Sequence, residues 1–256
     1  QPCSMTARPL GAAVRCGDRL LAGEDPEAGG VWRAPAGYAY TGFAHGVAGI
    51  AAALARLAET SGLDRFHAAA SRAFARLVSA RGGAASWPIA FRPERPAGGR
   101  DLLTMTAWCH GAPGITLALL AAPESLRDRA WRGEIETAVQ ACRAAATHKT
   151  EHVCCGNLSR AEATFAAARG LASSDAEAAA ARIASGVVRR AMALGHLRLS
   201  AVPYDYRVFD PAFFQGTSGA GYQLLRMAGG GRLPSVLALE GRAWWPGPPG
   251  HQEPAG

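Results

Sequence analysis

The chain has 256 residues, is 49% hydrophobic, and carries a net charge of +7 that comes from Arg except for Lys149. That is enough apolar material for one large domain or two small ones. No run approaches the ~18 uninterrupted apolar residues of a membrane span, and no Arg-rich run is interleaved with aromatics as in a nucleic-acid binder.

The start, Gln1-Pro2-Cys3, has neither the charged nor the apolar region of a secretory signal. A cytoplasmic location follows as the expectation, and with it no disulfide framework for the six cysteines. The absence of an initiator Met suggests a piece of a longer chain. The charge reads as solvated Arg on outer helix faces or, more sharply, as a basic surface for an acidic peptide.

In chain order, residues 7–23 read as a helix with Leu10, Val14, Leu20 and Leu21 apolar. A loop with Trp32 and two tyrosines follows. Residues 46–60 repeat Ile50, Leu54 and Leu57 at helical spacing, and 64–81 form an Arg-bearing amphipathic helix. Residues 84–107 are a long, Pro- and Gly-rich connection, of the kind that tends to be functional or mobile. Helices are expected over 112–121, from Pro123 to about 147, over 157–169, from a Ser174–Glu177 capping box to about 194, and over 219–228. Residues 1–242 read as the domain and 243–256 as a disordered Pro/Gly-rich tail. Cys3 falls in a disordered end, whereas Cys16 and Cys142 lie in apolar helical runs and read as small buried hydrophobes.

Four Gly motifs punctuate this order, with first glycines Gly46, Gly111, Gly156 and Gly216. Each opens an Ala/Leu-rich run, and a more charged amphipathic helix follows the first three. Self-similarity of this kind marks a repeated helical architecture. Helices apolar all round lie inside and striped helices outside, so the fold class is all-α, in two layers, with few strands. The pairs before the glycines are Ala44-His45, Cys109-His110, Cys154-Cys155 and Phe214-Gln215. If the repeats surround a common centre, three cysteines and two histidines converge at one end. On the residues alone, Cys109, Cys154 and Cys155 are either a metal site with an open position, which suits zinc, or buried thiols in turns. His45 is either structural or a general acid or base. His110 is a fourth ligand, an orienting group or a proton donor; His152 is off the repeat register and reads as structural.

At these residues the chain resembles the lanthionine synthetase cyclase family, and within it the C-terminal cyclase domain of type II lanthipeptide synthetases. The carriers are Gly42-Phe43-Ala44-His45-Gly46, Trp108-Cys109-His110-Gly111-Ala112-Pro113-Gly114, Cys154-Cys155-Gly156-Asn157, Gln215-Gly216-Thr217-Ser218-Gly219 with Tyr222-Gln223-Leu224-Leu225-Arg226, and Pro234-Ser235-Val236-Leu237. The resemblance implies an α/α toroid of inner and outer helices, incomplete here because only the C-terminal repeats are present. It implies zinc held by Cys109, Cys154 and Cys155, the last standing where the family usually has His, and His45 as the acid/base residue. His110 stands where standalone cyclases often have Tyr, and their Arg four residues before the zinc Cys falls on Met105. The implied partner is a dehydrated precursor peptide, and an N-terminal dehydratase would share the chain.

The implied reaction joins the peptide's Cys thiolates to dehydroalanine or dehydrobutyrine, giving lanthionine or methyllanthionine rings. The alternatives are glutathione addition to dehydroamino acids and an inactive, peptide-binding remnant of a cyclase. The three cysteine sulfurs are expected ~3.5–4 Å apart, as tetrahedral Zn–S bonds require. His45 is expected near them but outside bonding distance.

Overall fold

The computed structural model describes residues 7–81, 86–91, 103–127, 129–200 and 209–240. The expected tail 243–256 and Cys3 lie outside the described residues. The helices are α1 (Ala7–Ala22), α2 (Val47–Ser61), α3 (Asp64–Ser79), α4 (Ala112–Leu120), α5 (Arg129–Ala144), α6 (Asn157–Leu171), α7 (Ser174–Leu194) and α8 (Thr217–Ala228). A short 3-10 turn, Glu124–Leu126, precedes α5. Among the described residues there is no strand, only three isolated bridges: Tyr40 to Ala90, Pro88 to Thr104, and Thr106 to Gly111. The first and third tie the described parts of the long 84–107 connection to the loops before Gly46 and Gly111, and the second joins two parts of the connection.

The expected two layers are present. Helices α2, α4, α6 and α8 pack side by side in chain order, and α3, α5 and α7 lie outside α2, α4 and α6 respectively. The outer helices are striped as amphipathic helices must be. In α3 the buried residues are Phe66, Ala69, Ala70, Ala73, Phe74 and Leu77; in α5 they are Trp131, Ile135, Ala138, Val139 and Cys142. Helix α4 is buried from Ala112 to Leu119. Helix α6 is also buried nearly all round, yet it carries Arg160 and Glu162 inside. The surface-Arg reading therefore holds for pairs such as Arg65–Asp18 and Arg81–Glu134, and fails for Arg160 and Arg226, which are buried.

The motif glycines Gly46, Gly111, Gly156 and Gly216 are the N-caps of the four inner helices, and none caps through a side chain. The first helical N–H groups, which have no partner within a helix, instead find carbonyls of the preceding loop. Val47 N donates to Tyr40 O at 2.9 Å, Asn157 N to Thr150 O at 3.0 Å, and Thr217 N to Asp210 O at 2.7 Å. Gly111 requires glycine outright: its φ is 106°, and a Cβ would lie 1.7 Å from Met105 O.

The turn after α8 folds back against the inner helices. Leu237 is buried, its carbonyl accepts the Trp108 indole N–H at 3.0 Å, and Leu239 O accepts from Arg56 at 3.0 Å. Glu162 of α6 anchors this turn from inside the core, bonding Ser235 Oγ, Gln223 and Arg226.

The readings of Cys16 and of the α7 cap need correction. Cys16 is exposed, because α1 turns Gly17, Val14, Leu20 and Leu21 toward its neighbours. A Cβ on Gly17 would meet Leu57 at 2.4 Å, so the contact side of α1 lies there and Cys16 lies away from it. Cys142 is buried as expected, and burial pushes its thiol up to about 12. The cap of α7 is Ser173, not Ser174: its Oγ accepts Ala176 N at 3.3 Å.

Candidate metal centre

Backbone hydrogen bonds link the motif loops to one another. Trp108 N donates to Cys154 O at 2.8 Å, and Cys154 N donates to Phe214 O at 2.9 Å. The loop before one motif glycine is thus stitched to the loop before the next: Cys154 and Phe214 each stand two places before their glycine, and Trp108 three before Gly111. That stitching carries Cys109 to Cys154 and Cys155 across 45 residues of intervening chain.

The three sulfurs all lie within 4.8 Å of one another, the one such metal-competent group among the described residues. Cys109 Sγ is 3.1 Å and Cys154 Sγ 3.3 Å from Cys155 Sγ. These contacts fall a few tenths of an ångström inside the 3.5–4 Å expectation drawn from tetrahedral zinc. Cys109 and Cys154 are buried and Cys155 is half-buried.

The cluster is asymmetric in charge. Hydrogen bonds from Cys109 and Cys154 hold the Cys155 thiol down at about 3, against the opposing effect of burial. As a thiol Cys155 donates to Cys154. Cys109 is pulled down by its bond with Cys154, but its bond with Cys155 and burial outweigh that and push it up to about 11. Cys154 is raised by its bonds to Cys109 and Cys155. Three sulfurs this close are a donor set that a soft or borderline cation completes by displacing thiol protons.

The histidines sort by position. His45 is exposed and stacks on His110, ring centroids 5.2 Å apart at 29°. It is not among the residues that offer a ligand atom to the sulfur group. His110 also meets Tyr40 edge-on at 5.6 Å. Its Nδ1 is buried without a hydrogen-bond partner, and burial, then the neighbouring His45, keeps its pKa below the ordinary histidine value. His152 is structural as expected: its Nδ1 accepts the Cys155 backbone N–H at 3.2 Å, which fixes the neutral ring, and burial lowers its pKa. Met105, where the resemblance would set an Arg, is uncharged and 40% exposed.

A network that the sequence did not announce holds the third motif loop. Glu151 is buried and accepts from Arg190 at 2.7 and 3.1 Å, from Arg198 at 3.2 Å and from Asn157 Nδ2 at 2.7 Å. Burial works to raise this carboxyl, but the bonds from Arg190 and Asn157 prevail and hold it below the ordinary carboxylate range. Asn157 also bonds the backbone of His148 and Thr150. Arg190 and Arg198 come from α7 and the segment after it, 39 and 47 residues from Glu151, and no local pattern signals such a pairing.

Comparison with known proteins agrees with this arrangement. The family model described as lanthionine synthetase C-like protein matches residues 7–238. Among solved structures, nisin cyclase superimposes with a TM-score of 0.54 at 19% identity, over 75% of this chain and 47% of that one. The chain therefore spans about half the length of nisin cyclase, and the shared fold is the α/α toroid. No match was found among the curated proteins. No described helix is long and apolar enough to cross a membrane. With the family model covering all but the ends and the four glycines capping the inner helices, the chain belongs to the lanthionine synthetase C-like family.

Proposed function

We propose that this chain forms lanthionine or methyllanthionine rings with zinc, by adding cysteine thiols of a dehydrated precursor peptide to dehydroalanine or dehydrobutyrine. The observation that carries the reading is the convergence of the Cys109, Cys154 and Cys155 sulfurs at the capped ends of the inner helices. Three protein sulfurs leave one position of a tetrahedral ion for a peptide thiol, the pattern of catalytic rather than closed structural sites. When bound, zinc lowers the pKa of that thiol and keeps it a thiolate at neutral pH.

The chain's own residues supply the rest. Cys109, Cys154 and Cys155 give the site an anionic surround, which keeps the incoming sulfur electron-rich. The peptide sulfur forms its bond to Cβ, the Cα=Cβ π pair moves onto Cα and its carbonyl, and Cα then takes a proton. The proton that left the thiol balances the one that Cα gains. His45 is the proposed proton donor, directly or through a water it holds. Its exposed ring lies against His110, the residue next to Cys109, and leaves the ligand positions to sulfur. His152 keeps Cys155 in place through the backbone.

We further place residues 1–242 in the C-terminal cyclase part of a type II synthetase, on the strength of Cys154-Cys155-Gly156 and the Ser235–Leu237 turn. An upstream dehydratase would then supply the dehydroamino acids. Metal analysis with mass-spectrometric counting of unreacted thiols in a dehydrated peptide tests the activity. Ring formation by metal-free protein, or by Cys155→Ala with full metal content, refutes the three-thiolate assignment. The reading frame upstream of Gln1 tests the context.

A further inference from the structure

Two ladders of aromatic rings start at the residues on either side of Cys109. From Trp108, Phe214 stacks at 5.0 Å and 14°, and Phe213 meets Phe214 edge-on at 5.5 Å. From His110, Tyr40 follows at 5.6 Å and Tyr38 stacks on Tyr40 at 6.2 Å. Each ladder includes a ring that the fold leaves open to solvent: Phe214 is 43% and Tyr38 58% exposed. Phe214 also holds the repeat position that carries sulfur in Cys109 and Cys154, and its carbonyl bonds Cys154 N. It is therefore bonded through its backbone to the loop that carries Cys154 and Cys155, with its ring stacked on Trp108, the residue before Cys109.

The charge pattern points the same way. Although the chain carries +7 overall, none of the eight residues directly preceding the four motif glycines is Asp, Glu, Lys or Arg. An acidic side chain arriving beside the cluster finds no Lys or Arg among them and meets the sulfurs' negative charge. Large rings left exposed next to a reactive site gain by being covered, and a second ring or a branched aliphatic group covers them best.

We propose that Phe214 and Tyr38 are specificity-determining residues that select apolar, and best of all aromatic, side chains next to the reacting cysteine of the peptide. Adjacent peptide residues lie 3.8 Å apart along the chain, which carries a neighbour of the metal-bound cysteine toward Phe214, one ring from Trp108; Tyr38 lies farther out, beyond Tyr40. The inference rests on the reading of the cysteine cluster as a thiol-binding metal site.

The test uses the full chain loaded with cobalt(II) and titrated with capped Gly-Cys-Gly, Phe-Cys-Phe and Glu-Cys-Glu, following the sulfur-to-cobalt charge-transfer absorption. Phe-Cys-Phe should bind about three- to tenfold more tightly than Gly-Cys-Gly, the worth of one aromatic pair, and Glu-Cys-Glu no better than Gly-Cys-Gly. Phe214→Ser should narrow the ratio. So should Tyr38→Ser, at a ring exposed enough that folding is spared. The two together should bring it under about twofold. A wild-type ratio under twofold, a preference for Glu-Cys-Glu, or a ratio that survives the double variant overturns the inference while leaving the metal site standing. Silence of the cobalt spectrum toward every tripeptide removes the thiol site, and this inference with it.

Discussion

Glu151→Gln tests whether the third motif loop is held as described, because it removes one charge and keeps the shape. The carboxylate is 1% exposed and faces two guanidinium groups, Arg190 and Arg198, that are 32% and 27% exposed. Breaking a fully buried ion pair by removing one partner costs about 3–5 kcal/mol. Here water reaches both arginines and takes back part of their solvation, so the expected loss is about 2–3 kcal/mol at pH 7. The sign of the pH dependence follows from the carboxyl being held below its unfolded value, about 4.3. Its contribution is complete above that pH and is lost as pH falls through the lower folded value. Urea unfolding of both proteins at pH 7 and at steps down into acid should therefore show a gap that closes on acidification. A gap under about 1 kcal/mol, or one that stays constant with pH, refutes the view that the charge of Glu151 anchors the Cys154-Cys155 loop.

Three other outcomes are expected. Cys109→Ala, Cys154→Ala and Cys155→Ala should each lose zinc by elemental analysis, while His45→Ala keeps zinc and loses about 10²–10⁴ in ring-forming rate under single-turnover conditions. Gly111→Ala should lose the cooperative melt, since its Cβ would sit 1.7 Å from Met105 O at a φ of 106°, whereas Gly133→Ala, exposed in α5 with open space at its Cβ, should gain about 0.8–1 kcal/mol by chemical denaturation. Trp108→Phe should lose about 1 kcal/mol through the bond to Leu237 O, and Cys109 should alkylate faster.

The sequence shows the layers because glycines and apolar runs are local signals. A Gly motif followed by Ala and Leu marks an inner helix start, and all four starts fall on the motif glycines. What stayed hidden depends on partners distant in the chain. Helix α5 was expected to run to about 147 but ends at Ala144, where Arg160 of α6 takes the carbonyls of Cys142, Ala145 and Ala146. Cys16 looked buried because periodicity gives a stripe but not which neighbour the stripe meets; the close contact falls on Gly17. The capping box slipped by one because Ser173 and Ser174 are chemically equal, and only the extended backbone at Ser173 decides between them.

The candidate site was legible for a different reason. Each repeat presents the two residues before its glycine at the same end of the inner layer, and the backbone bonds from Trp108, next to that pair, to Cys154 and from Cys154 to Phe214 join the loops that carry them. The scaffold therefore displays whatever side chains occupy them, with no metal needed to explain the convergence of the loops. The pairs then divide the work: His45 offers an exposed imidazole, Cys109 and Cys154-Cys155 offer sulfur, and Phe214 offers an open ring. The second and third repeats hold the sulfurs, and they are neighbours in the layer, which is why three thiols spread over the chain come within 4.8 Å. A cysteine in the first or fourth repeat would stand beside only one of them.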